Sequence, residues 1–133
     1  MSLSISRPWA RTETPDALQG AGFFVVTNPG DTPDRLVAAR SAKAGRIEIH
    51  AIKVVGSGIK MRPLENGLRV PPRTTLELKP RGYHLLMMDL PEPWKPGSRI
   101  PVTLEFEKAG TVEVELVVEA HGPVGGETLV EKG

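Results

Sequence analysis

The chain has 133 residues, a formal net charge of +1, three histidines, four methionines and no cysteine. That length fits one domain able to bury its own core. The near-neutral charge and scarce aromatics exclude a nucleic-acid-binding face, and the missing cysteines exclude disulfides, zinc fingers and thiol nucleophiles. No stretch approaches the roughly 20 apolar residues of a membrane span.

Along the chain the signal is a period of two. The start, "MSLSISRPWA", has no basic region followed by an apolar run, so it does not read as a signal peptide. If the native protein is exported, residues 1–4 are the remnant of a leader or of cloning. In "RIEIHAIKVV", Ile47, Ile49 and Ala51 share one face, and Glu48, His50 and Ile52 the other. "TLELK", "PVTLEFE" and "TVEVELVVE" alternate in the same way through Leu76 and Leu78, through Val102, Leu104 and Phe106, and through Val112, Val114 and Leu116. Turn chemistry separates them at "NPGD", "VGSG", "ENG", "KPRG", "KPG" and "KAG". No apolar repeat of 3.6 residues persists over three turns. The pattern predicts an all-β domain over residues 5–119, a Greek-key β-sandwich or barrel, followed by a flexible tail over 120–133.

A two-residue turn at Gly56-Ser57 would set Val55 opposite Gly58, Ile52 opposite Met61 and His50 opposite Pro63. His50 and Met61 then become diagonal neighbours on one face, opposite to that of Ile47 and Ile49. Further on, "YHLLMMDL" puts His84, Leu86 and Met88 on one face and Tyr83, Leu85 and Met87 on the other. If that strand lies near the first hairpin, two imidazoles and a thioether converge. Such a neutral, soft set suits Cu(I) and not calcium or magnesium. The plainer reading stands beside it: strand histidines at the surface and methionines filling core gaps. His121 falls in the tail and is expected to do nothing.

Three segments, "IEIHAIKVVGSGIKMRP", "LELKPRGYHLLMMDL" and "VTLEFEKAGTVEVEL", together with "WAR" and "NPGDTPDRL", resemble the periplasmic copper chaperones of the PCuAC type. The likeness covers about Ile5 to Val118. It implies a cupredoxin-like Greek-key β-sandwich, a periplasmic or other extracytoplasmic location, one Cu(I) per chain, and delivery to an apo-metalloprotein such as the copper-bearing subunit of cytochrome c oxidase. The family's motif is a His, ten residues, a Met, 21 or 22 residues, then His-x-Met. His50, Met61 and His84 match it. Leu86 stands where the last methionine belongs, while Met88 matches the family's second methionine.

Three alternatives follow. The site keeps an open position; or a bulge turns Met87 in as a fourth ligand; or copper binding is weakened and the chain serves as a metal-free interaction module. The expected ligand set is His50, Met61, His84 and Met87. It requires the imidazoles to lie within roughly 8 Å of each other, given metal–nitrogen bonds of about 2 Å. Only neutral imidazole ligates, so binding is expected to weaken below about pH 6. No nucleophile–base pair, nucleophile elbow or phosphate-binding glycine loop is present, so no catalysis is expected. Trp9 and Trp94 are expected to pack rather than to bind, with Trp94 as a partner contact the lesser alternative.

Overall fold

A computed structural model describes residues 3–122 except Ser57. Ten strands run in chain order: β1 (Ser4–Thr12), β2 (Gly20–Asn28), β3 (Asp34–Arg40), β4 (Arg46–Val55), β5 (Gly58–Pro63), β6 (Leu68–Val70), β7 (Thr74–Glu77), β8 (His84–Met88), β9 (Arg99–Phe106) and β10 (Gly110–Val118). They pair in the order β5-β4-β8-β2-β1-β10-β9-β3-β6, with β7 on the second half of β2. Every ladder is antiparallel except β1 with β10. Neighbours such as β4 and β8, or β3 and β9, are distant in sequence, which is the crossing connectivity of a Greek key.

Alternation decides which face is buried. Ile100, Val102, Leu104 and Phe106 of β9 form one apolar cluster with Leu116 and Val118 of β10. Ile49 of β4, Leu85 and Met87 of β8, and Phe24 and Val26 of β2 join the same cluster. Strands from both ends of the ladder thus share one core, so the sheet folds over into two facing layers. Trp94 is buried in that core and is not a surface contact.

Gly20 and Gly22 of β2 face the core opposite Met87 and Leu85 of β8. A Cβ at Gly22 would lie 2.7 Å from Leu116 Cδ1 and 3.4 Å from Met87 Sδ. The bare backbone there leaves volume that the Met87 side chain fills, as flexible methionines do in irregular gaps.

The expected limits of the domain shift at both ends. Residue 4 already pairs, Ser4 with Thr27, although residues 1–4 were expected to be a remnant. At the other end, Gly122 N–H donates to Thr12 O at 3.0 Å, and His121 Nδ1 lies 3.1 Å from Thr12 Oγ1. The expected tail is therefore anchored through Gly122 by β1. Residues 123–133 of that tail lie outside the described residues, as do Met1 and Ser2.

Candidate metal centre

The hairpin of β4 and β5 adopts the register read from its turn: Val55 opposite Gly58, Ile52 opposite Met61 and His50 opposite Pro63. Gly56 has φ +59°, the left-handed conformation that a tight hairpin turn requires and that glycine supplies without strain. On its other side β4 pairs with β8 in unbroken register, from Arg46 opposite Met88 to His50 opposite His84. Ile49 and Leu85, one step along, face the core. His50 and His84 therefore share the opposite face as a direct cross-strand pair.

Their ring centroids are 5.7 Å apart, with the planes tilted by 41°. Two imidazoles bonded to one ion at about 2 Å, with each ring nitrogen about 1 Å from its ring centre, bring their centroids to about 6 Å at most. The spacing suits one bridging ion. Both rings are buried, at 7% and 1% exposure.

Hydrogen bonds hold each ring by one nitrogen. His84 Nδ1 lies 2.9 Å from Gly82 O, in the turn that introduces β8. A carbonyl oxygen only accepts, so Nδ1–H donates and the lone pair falls on Nε2. His50 Nε2 lies 2.9 Å from Glu48 Oε1, two residues earlier on the same face. His50 Nδ1 is buried and makes no hydrogen bond among the described residues. A buried polar atom of this kind is costly unless a water or a bound ion meets it. Glu48 in turn lies 3.4 Å from Arg46 Nη2. Its carboxyl is held below the usual carboxylate range, first by the His50 hydrogen bond, with the charges of Arg46 and His50 adding to the effect and desolvation opposing it.

Met61 lies on the outermost strand, β5, on the face of His50 and diagonal to it, and is 40% exposed. Among the described residues no three His, Cys, Asp or Glu side chains gather in metal-binding geometry. Of the methionines among the described residues, Met61 is the one set diagonally beside His50 on the imidazole face, where a thioether could join the two rings.

Met87 is not. It is fully buried in the core cluster, and the β4–β8 register carries no bulge that could turn it. The expectation that Met87 supplies a fourth ligand is corrected: its side chain points to the far side of the sheet. Leu86 does face the site side, opposite Glu48 and two residues from His84. Met88 shares that side but lies farther along, with its sulfur 3.5 Å from Arg46 Nη2.

The sequence reading passed over two neighbours of the pair. Glu48 was visible only as a polar residue alternating with isoleucines, although its i, i+2 spacing from His50 already placed the two on one face. Phe23 lies 6.4 Å from His84 and 4.5 Å from Trp9 between ring centroids. It belongs to a strand whose apolar run, "GAGFFVVTN", showed no alternation to mark which face it uses. A bulge in β1 between Ser6 and Trp9, with Arg7 at φ 53°, sets the register that lays Trp9 against Phe23. The cleft of about 510 Å³ beside Trp9, lined by Arg7, Arg11, Leu78 and Glu119 among others, contains neither histidine.

Comparison with known proteins brings these observations together. The copper-bound PCuAC domain from PmoF2 superposes with a TM-score of 0.75 at 27% identity, covering 90% of this chain and 94% of that one. The apo PCuAC domain from PmoF1 gives 0.76 at 29% identity, covering 90% and 95%. The Cu(I) form of DR1885 from Deinococcus radiodurans gives 0.68 at 26% identity, covering 89% and 80%. The fold is thus the cupredoxin-like β-sandwich of PCuAC domains. In sequence, "Putative lipoprotein Lxx21020" of Leifsonia xyli subsp. xyli (strain CTCB07) is 29% identical over 117 residues, 88% of this chain and 69% of that protein. The family described as "Putative lipoprotein LpqE-like" matches residues 3–118. With nearly the whole folded region inside that match, the chain belongs to the LpqE-like family, built on the PCuAC-type fold.

Proposed function

We propose that this protein is an extracytoplasmic copper carrier that binds one Cu(I) through His50, His84 and Met61 and hands it to an apo-metalloprotein. The observation that carries the proposal is the facing imidazole pair, with ring centroids 5.7 Å apart and a buried His50 nitrogen that takes no hydrogen bond from the described residues. Two imidazoles and a thioether form a neutral, soft-to-borderline set of the kind Cu(I) takes. The copper-bound and Cu(I) forms of similar domains support the choice of metal. The lipoprotein relative supports an extracytoplasmic location, and among the described residues no helix is long and apolar enough to cross a membrane. The recipient suggested by the PCuAC resemblance is the copper-bearing subunit of cytochrome c oxidase or a similar protein. The role is carriage and transfer without catalysis.

An anaerobic titration with Cu(I) against a colorimetric chelator tests the proposal. One equivalent bound by the wild-type protein, and none competitively bound after His50→Ala or His84→Ala, is the expected result. Failure of the wild-type chain to compete with a micromolar chelator overturns it. The alternative, a metal-free interaction module, draws on Leu86: an apolar side chain stands on the site face where the family motif places sulfur. The same titration separates the two readings.

A further inference from the structure

We infer that Glu48 is a positioning residue: by accepting the Nε2–H of His50 it fixes that imidazole in one tautomer and makes Nδ1 the nitrogen that meets the metal. The inference rests on the proposed copper reading and specifies its geometry. An ionised carboxylate has no proton to give, so the 2.9 Å contact to Glu48 Oε1 requires the hydrogen on His50 Nε2. A neutral imidazole carries one N–H, which leaves the lone pair on Nδ1. Nδ1 is buried and takes no hydrogen bond from the described residues.

His84 is arranged the other way round. Its Nδ1–H is given to Gly82 O, so it donates to a metal through Nε2. The two histidines are thus expected to ligate through different nitrogens, although they are direct partners across one ladder.

Glu48 is itself oriented. The Arg46 guanidinium, two residues earlier on the same face, lies 3.4 Å from Glu48 Oε2. Arg46, Glu48 and His50 therefore run as a relay along the outward face of β4. The spacing of two that sets the strand's burial pattern also delivers each contact. Partners of this kind hold a ligating ring in one orientation, raise its basicity, and typically change metal affinity by about 10- to 100-fold when removed. Glu48 acts through His50 and is not a ligand, since it does not gather with both imidazoles.

The test is made on the full chain, labelled with ¹⁵N and examined by long-range histidine correlation spectra with and without Cu(I). In the metal-free protein His50 is expected in the Nε2–H form. On adding one equivalent of Cu(I), the shift expected of coordination falls on Nδ1 of His50 and on Nε2 of His84. Glu48→Ala should lower Cu(I) affinity by about 10- to 100-fold in chelator competition. Glu48→Gln, whose amide oxygen can accept the same hydrogen bond, should recover most of that loss. Coordination through His50 Nε2, an Nδ1–H tautomer in the metal-free protein, or unchanged affinity in Glu48→Ala would each overturn the inference. Should the wild-type chain take no Cu(I) while its metal-free spectra show the Nε2–H form, the copper reading fails and the Glu48–His50 pairing stands. The two failures are therefore distinguishable.

Discussion

Met87 and Met61 offer the sharpest separation between a methionine that holds the fold and one that would hold copper. Met87 is fully buried, opposite Gly20 and against the space that Gly22 leaves open. Truncation to alanine removes most of that side chain from a packed interior, at a cost of about 2–5 kcal/mol. Against a total stability of about 5–15 kcal/mol, that is a large fraction. It corresponds to a fall in Tm of about 7–18 °C for a domain of this size. Met87→Leu keeps volume and apolarity and should cost less than about 1.5 kcal/mol. Because the thioether faces the core, losing it in Met87→Leu should leave Cu(I) affinity within about twofold, where a lost ligand would cost tenfold, about 1.4 kcal/mol, or more. Thermal melts and chelator competition on both variants make the assay. A tenfold loss of Cu(I) affinity in a Met87→Leu protein of near-normal Tm would refute the assignment of Met87 to the core.

Three further outcomes follow from the same geometry. Leu86→Met puts sulfur on the site face two residues from His84, about 6.6 Å along an ideal strand, and should tighten Cu(I) binding at a stability cost below about 1.5 kcal/mol; chelator competition reads it, and unchanged affinity would mean the position lies out of reach. Gly22→Ala drives a Cβ toward Leu116 Cδ1 at 2.7 Å and should destabilise by about 1–3 kcal/mol in denaturant titration, or less if the leucine yields. Glu48, with its carboxyl held below the usual range in the folded protein, adds stability that is present above its unfolded pKa of about 4.3 and is lost as pH falls through the lower folded value. Glu48→Gln should accordingly be less stable than the wild type near neutral pH, with the gap in Tm closing in acid. A gap that persisted undiminished well below the unfolded carboxylate pKa would contradict the sign of the shift.

What the sequence revealed and what it concealed divide along local and distant pairing. The all-β reading came from alternation, and the β4–β5 register from one turn, because a two-residue hairpin fixes every cross-strand partner after it. Nothing local could state that β4 pairs on its other edge with β8, some thirty residues later, which is the ladder that makes the histidine pair. The Met87 expectation failed where alternation had already supplied the answer. Met87 and Leu85 share a face, and only a bulge, absent from this register, could have moved one of them. The anchor for His121 and Gly122 was hidden for the same reason as the β4–β8 ladder: its partner, Thr12, lies at the opposite end of the chain.

Exposure is divided unevenly among the proposed ligands, and that division bears on release. The imidazoles are buried, whereas Met61 sits 40% exposed on the outermost strand. An ion held by all three would present only its sulfur side to an approaching protein, so an incoming ligand would displace the thioether first and meet the histidine nitrogens last. Met61→Ala should then retain the two-imidazole anchor and fold normally, since exposed side chains contribute within about 0.5 kcal/mol. It should bind Cu(I) more weakly than the wild type but still measurably, and lose the metal to a competing chelator faster in stopped-flow exchange. His84→Ala should abolish binding outright. If instead Met61→Ala bound copper as tightly and released it as slowly as the wild type, the exposed edge would have no part in holding the ion, and transfer would have to begin from the buried side.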